Sequence, residues 1–277
     1  MTRSRNVLTL VAVTVASIAM AAPAMASVML YDANSVTEFD LESPMGLSSW
    51  RVDGREYMYQ QWFWYRLGNT GGETSVDSLT LDGSPILSDL NNDGENDTLY
   101  TRYLGDGFKV ELWFILAGGP PGSGASDLGE IIRITNTGSQ SLDFHFFQYA
   151  DFDLSDSGDT IEITGGTDLM AGNTAHQTAP GAQVAETVVT PRPSSHQVGL
   201  DGNLLGLLED DDPTALTGES GPVTGNASWA FQWDKVIAPG RTLLISKDKN
   251  ITPEPATLAL MGGGVAAVLV VRRRRKQ

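Results

Sequence analysis

The densest run of candidate metal ligands is "DLNNDGEND" at residues 89–97. Asp89, Asn91 and Asp93 offer oxygens at alternate positions, Gly94 permits the sharp bend that follows, and Asp97 stands at the ninth position of such a loop. That order suits a hard cation with about six to eight oxygen ligands, calcium above all. The closing position holds Tyr100 instead of a bidentate acid, so an Asx-rich turn accounts for the same residues. A second cluster, "DFDLSDSGD" at 151–159, gathers Asp151, Asp153, Asp156 and Asp159 after an apolar run. Two of them would serve as a glycosidase pair if they faced each other across a cleft with one pKa raised. A further calcium loop is the other functional reading, and a solvated acidic loop is the default.

Other chemistry finds less support. "YMYQQWFWY" (57–65) could present an aromatic row to sugar rings, but a central strand covered on both faces reads the same way, and core is the expected role. Trp113 with Phe114, and Trp229 with Phe231 and Trp233, are assigned to the core on the same ground. His145, His176 and His196 share no metal-binding spacing, and the default is a surface or hydrogen-bonded sheet histidine. The chain has no nucleophile elbow, P-loop, dinucleotide fingerprint or zincin helix; "GESG" around Ser220 lacks the elbow spacing. The absence of cysteine excludes thiol catalysis, zinc–cysteine sites and disulfides.

The elements that must position these residues read as strands. Short runs rich in Val, Ile, Thr and aromatics, bounded by Gly, Asn, Asp or Pro, occupy 56–67, 74–81, 97–104, 107–117, 129–137, 142–152, 159–164, 182–190, 227–237 and 241–248. Gly105-Asp106-Gly107 reads as a hairpin turn, and Pro239-Gly240 as the link between the last two strands. A short helix is expected to start at Asp212 and Pro213. Residues 118–127 and 166–181 read as loops. Ten or so strands without a βαβ rhythm imply an all-β fold, an antiparallel β-sandwich, in one domain over 27–250.

Both ends read as addresses. Residues 1–26 have the form of a signal peptide, with Arg3 and Arg5 before an apolar stretch and Ala24-Met25-Ala26 at the cleavage position. The first 26 and last 25 residues hold seven of the 18 bases and one of the 34 acids. The remainder carries 33 acids against 11 bases, a net charge of −22. Such a surface repels nucleic acid and anionic lipid. The last segment, 251–277, opens on Pro253-Glu254-Pro255, stiff and helix-refusing. An uncharged stretch, 256–271, follows; as a helix it would reach about 24 Å, short of the ~30 Å hydrocarbon core. Arg272, Arg273, Arg274 and Arg275 then form a positive stop on the cytoplasmic side.

Motif, short apolar helix and arginine cluster in this order resemble the PEP-CTERM sorting domain. The resemblance implies that exosortase is a partner and that Pro253, Glu254 and Pro255 are its recognition residues. It also implies a transient membrane helix over 256–271 and an association with exopolysaccharide or biofilm. The expected product is an exported, non-enzymatic protein, tethered to the membrane as a precursor and then delivered to the cell surface or extracellular matrix. It needs no cofactor unless calcium binds at 89–97. The alternatives are a carbohydrate-binding module or a glycan-active enzyme carrying the same tag.

Overall fold

The computed structural model describes residues 27–155, 158–165, 172–200 and 202–253. The expected signal peptide and the sorting segment beyond Pro253 lie outside the described residues. The chain runs through β1 (Val28–Asp32), β2 (Ser35–Asp40), β3 (Gly46–Val52), β4 (Arg55–Glu56), β5 (Met58–Leu67) and β6 (Thr74–Ser75). Next come β7 (Thr80–Leu81), β8 (Ile86–Ser88), β9 (Thr98–Gly105), β10 (Phe108–Gly118), β11 (Ser126–Asn136), β12 (Leu142–Phe152) and β13 (Asp159–Thr164). It finishes with β14 (Thr174–Ala179), β15 (Ala182–Thr190), β16 (Ser195–Leu200), α1 (Asn203–Leu208), β17 (Val223–Gly225), β18 (Ala227–Ile237) and β19 (Thr242–Thr252).

Two sheets result, as an all-β sandwich requires. The first has the order β1-β2-β3-β5-β12-β18-β16, with β4 on β3 and β6 on β5. The second has the order β17-β13-β14-β15-β19-β11-β10-β9-β7, with β8 on β9. Pairing among the described residues is antiparallel except where Gly46 and Leu47 of β3 meet Gln61 of β5. Only glycine allows that approach: Gly46 has φ +54°, and a Cβ there would lie 2.1 Å from the Trp62 ring.

The two sheets differ in how many faces they bury, and the sequence shows why. In β11 and β13 to β15, buried residues mostly alternate with more accessible ones, as in a half-solvated sheet. In β5 and β12 nearly every residue is buried, because the first sheet is covered on both sides. Toward the second sheet, Phe63 stacks on Phe146 at 5.6 Å and meets Phe114 at 6.4 Å. On the opposite face Trp64 meets Tyr149 edge-on at 6.2 Å, and Arg66 lies over Phe147 at 5.8 Å. Phe63, Trp64, Phe114, Trp229, Phe231 and Trp233 are thus core, as expected. Trp113 is the exception: it lies on the outer face of the second sheet, between Tyr100 and Arg133.

The outer cover of the first sheet corrects the expected helix. The helix is at Asn203–Leu208 and buries Leu204 and Leu208, one turn apart, after a left-handed Gly202. Residues 212–217 form no helix, because their backbone is claimed by other side chains. Thr214 donates to Glu73 (3.0 Å) and accepts from Arg66 (3.1 Å), while Leu216 and Thr217 donate to Gln232 and Gln197 (2.8 and 3.0 Å). The run 74–81 is likewise not one strand but two short ones around a 3-10 turn at Val76–Ser78. Part of the expected loop at 166–181 is strand β14, whose buried face consists of Ala175, Gln177 and Ala179 and so lacks a bulky apolar signature. Pro239-Gly240 links the last two strands, as expected, and the link crosses between sheets, as does the one from β11 to β12. Asn136 ties both crossings, donating to the carbonyls of Gln140 and Ile237 at 2.7 Å.

Four charged side chains lie in the sandwich interior. On the inner face of the second sheet, Lys247 pairs with Glu130 (2.8 Å) and Glu186 (2.9 Å), and Lys249 with the same two acids. Gln148 and Trp229 donate to Glu186 from the facing sheet, at 3.1 and 2.8 Å. Two positive and two negative groups cancel there. Burial raises the Glu130 carboxyl's pKa, but Lys247 and Lys249 overcome that and hold it near 2. Burial outweighs both acids at Lys249 and lowers its pKa.

Candidate functional site

A cleft of about 960 Å³ opens where β12 ends and β18 begins, on the outer side of the first sheet. Arg55, Tyr59, Tyr149, Asp151 and Asp159 line it, and Leu205 of α1 forms part of a wall. β12 carries Tyr149 and Asp151 two residues apart, hence on one face. A register shift between Asp151 and Phe152 marks a bulge against β5 just where the cleft begins.

Asp151 is the chemically distinctive group. It is 7% exposed, its Oδ2 accepts from the Tyr149 hydroxyl at 3.0 Å, and its Oδ1 has no partner among the described residues. Burial raises its pKa to about 6, Asp153 and Asp159 add to the shift, and the Tyr149 bond opposes it. Burial and the Asp151 charge also push the Tyr149 phenol well above its ordinary value.

The other acids of the cleft are already engaged. Asp159 accepts from the Leu154 amide (2.8 Å), Gln177 Nε2 (2.7 Å) and Ser155 Oγ (3.0 Å), which fixes the turn after β12. Glu56 Oε1 accepts from the amides of Trp50, Tyr57 and Met58 at 2.8, 3.1 and 3.2 Å. Arg55 donates to the Leu154 carbonyl and lies over the Tyr57 ring at 4.8 Å. Asp153 is exposed at the cleft, and Asp156 lies outside the described residues. Tyr59, 54% exposed, is the one member of the 57–65 aromatic run that faces solvent broadly.

The remaining sequence candidates sit elsewhere. Asp89, Asn91, Asp93 and Asp97 occupy the loop between β8 and β9, where their oxygens serve the loop's own backbone. Asp89 accepts from the amides of Asn92 (2.6 Å) and Gly94 (2.9 Å), and Asp93 from Glu95 (2.9 Å). Buried Asp97 accepts from Leu90 (2.9 Å) and Asn91 (3.3 Å). Among the described residues no three acidic or histidine side chains converge as a metal site. His145 is the hydrogen-bonded sheet histidine expected, with Nδ1 2.6 Å from Asp234; His196 pairs with Ser220 at 2.9 Å. Sequence reasoning singled out Asp151 and its cluster, and Tyr59 as part of the 57–65 run assigned to the core, but not Tyr149 or Arg55. The Tyr-x-Asp spacing at the end of a strand was the signal available for Tyr149.

A family model for the PEP-CTERM protein-sorting motif matches residues 252–275, a span that includes Pro253 to Pro255 and Arg272 to Arg275. The chain therefore carries this motif, which implies export, membrane anchoring before cleavage, and processing by exosortase, a membrane protease. A comparison with curated proteins finds no match. Among solved structures, the body is similar to a putative aldose 1-epimerase from Escherichia coli K12, at 11% identity and TM-score 0.50, over 83% of this chain and 99% of that one. A Synechocystis sp. PCC 6803 protein matches at 11% identity and TM-score 0.51, over 83% and 96% of the two chains. A bacterial glucoamylase complexed with acarbose matches at 7% identity and TM-score 0.54, over 81% of this chain but 31% of that one. At such identities the likeness shows the fold. The expectation of a non-enzymatic matrix protein is corrected to this extent: the body has the fold of a chain described as a putative aldose 1-epimerase, matched over nearly its whole length.

Proposed function

We propose that the chain is an exported carbohydrate-active protein, which binds a sugar in the cleft at the end of β12 and transfers a proton to or from it through Asp151. The observation that carries this reading is the unpartnered, buried Oδ1 of Asp151 in the lining of a roomy cleft, on a fold shared with a chain named as a putative aldose 1-epimerase. A carboxyl with a pKa near 6 holds both protonation states close to neutral pH, so it can take a proton from a sugar hydroxyl and return it. Exposed Tyr59 offers an apolar ring at the rim for the sugar face. Asp159 and Glu56 are spent on backbone amides, which favours single-carboxyl acid–base chemistry at an anomeric centre over a two-carboxyl glycosidase pair. In this reading residues 1–26 direct export and are removed, the body over 27–250 carries the activity, and exosortase cuts near Pro253 to Pro255. The product then works at the cell surface or in the matrix, where exopolysaccharide supplies its sugars.

The test is turnover by the full chain, followed by polarimetry for anomer interconversion and by reducing-sugar release for hydrolysis. Activity should fall about 100-fold or more in Asp151→Asn, whereas Tyr59→Ala should chiefly raise KM. Turnover unchanged by Asp151→Asn, or none in either assay, would overturn the proposal.

A further inference from the structure

The carboxyls of the cleft carry information about its ligand. Glu56, Asp151, Asp153 and Asp159 line it against a single guanidinium, Arg55, which donates to the Leu154 carbonyl. A glycan bearing carboxylates or sulfates would meet four carboxyls with only Arg55, already donating to Leu154, to receive it. Asp151 Oδ1, nine-tenths buried and without a partner, demands a donor from whatever enters, and a cationic donor satisfies it best. Tyr149 already occupies Oδ2, so Oδ1 alone meets the ligand, with one lone pair for an ammonium and one for the hydroxyl whose proton Asp151 moves. The ring of Tyr59 at the rim suits the apolar face of a pyranose and carries no charge preference of its own.

We infer that the cleft takes an amino sugar with a free ammonium group, which it places on Asp151 Oδ1. The inference rests on the sugar-binding reading above and names its substrate class. Discrimination arises at one atom: acetylation of the amine removes the charge and sets a bulky acetyl group against a buried oxygen, and a uronate adds like charge to four carboxyls.

Calorimetry with the full chain in detergent compares short oligomers of glucosamine, N-acetylglucosamine, glucose and glucuronate. The free-amine oligomer should bind about tenfold or more tightly than the acetylated and neutral ones, and the uronate more weakly than any. Asp151→Asn keeps an acceptor for Tyr149 and should erase the preference for the amine. Tyr59→Ala should weaken every sugar alike and leave the order unchanged. Equal or tighter binding of the neutral or acetylated oligomer, or an amine preference that survives in Asp151→Asn, overturns the inference while leaving the sugar site standing. Absence of binding by every oligomer overturns both.

Discussion

Replacing Asp151 by asparagine should stabilise the protein in mild alkali and leave it nearly unchanged in acid. The carboxyl has a folded-state pKa of about 6 against an ordinary value of 3.8. A raised folded pKa contributes stability that is fully present below the unfolded value and is lost as pH rises through the folded one. The loss, at ~1.4 kcal/mol per unit, totals about 3 kcal/mol, of which about 2.5 kcal/mol accrues between about pH 4 and about pH 8. Tyr149, Asp153, Asp159, Glu56 and Arg55 surround the group in both proteins, so their titration largely cancels in the difference. Asparagine keeps an acceptor for the Tyr149 hydroxyl and removes the buried charge. For a body of this size, Tm of the variant minus Tm of the parent should grow by roughly 5–10 °C across that range. Differential scanning calorimetry at matched ionic strength measures it. A difference that stays flat with pH, or that shrinks as pH rises, would refute the argument that burial disfavours the charged form of this carboxyl. A confirmed gain would match the stability–activity trade-off expected of a proton-transferring residue.

Further outcomes follow from the same structure. Lys249→Met leaves Glu130 and Glu186 with one cation between them and should cost about 3–5 kcal/mol in urea unfolding; pairing it with Glu130→Gln, which restores neutrality, should recover part of that loss. Gly46→Ala combines a φ of +54° with a Cβ 2.1 Å from Trp62, and should cost about 3 kcal/mol or abolish folding, read by the same unfolding curve. Mass spectrometry of the mature protein from cells with active exosortase should find a C-terminus near Pro253 to Pro255; an intact Gln277 would contradict the processing reading.

Much of the architecture was legible because burial leaves a pattern. The strands at 142–152, 159–164, 182–190 and 227–237 have the expected bounds, and each is closed by turn residues. β14 was not legible, since an inner face of Ala175, Gln177 and Ala179 carries almost no hydropathy contrast. The last strand runs on to Thr252, past the expected end at 248, and its Lys247 and Lys249 are core residues paired with acids far away in sequence. The helix was misplaced because Pro213 and Asp212 favour a helix start locally, while Glu73, Arg66, Gln232 and Gln197 claim that backbone from distant positions. At the site, the cluster 151–159 was visible as acids, but its division of labour was not. Only tertiary contacts show that Gln177 and the Leu154 amide occupy Asp159 and leave Asp151 half bare.

The central claim, that this cleft holds a sugar at Asp151, is tested most directly by a crystal structure of the full chain with a short glycan bound. The account predicts a sugar ring against Tyr59 with a hydroxyl or amine on Asp151 Oδ1. A glycan bound elsewhere, with the cleft vacant at saturating ligand, would contradict it.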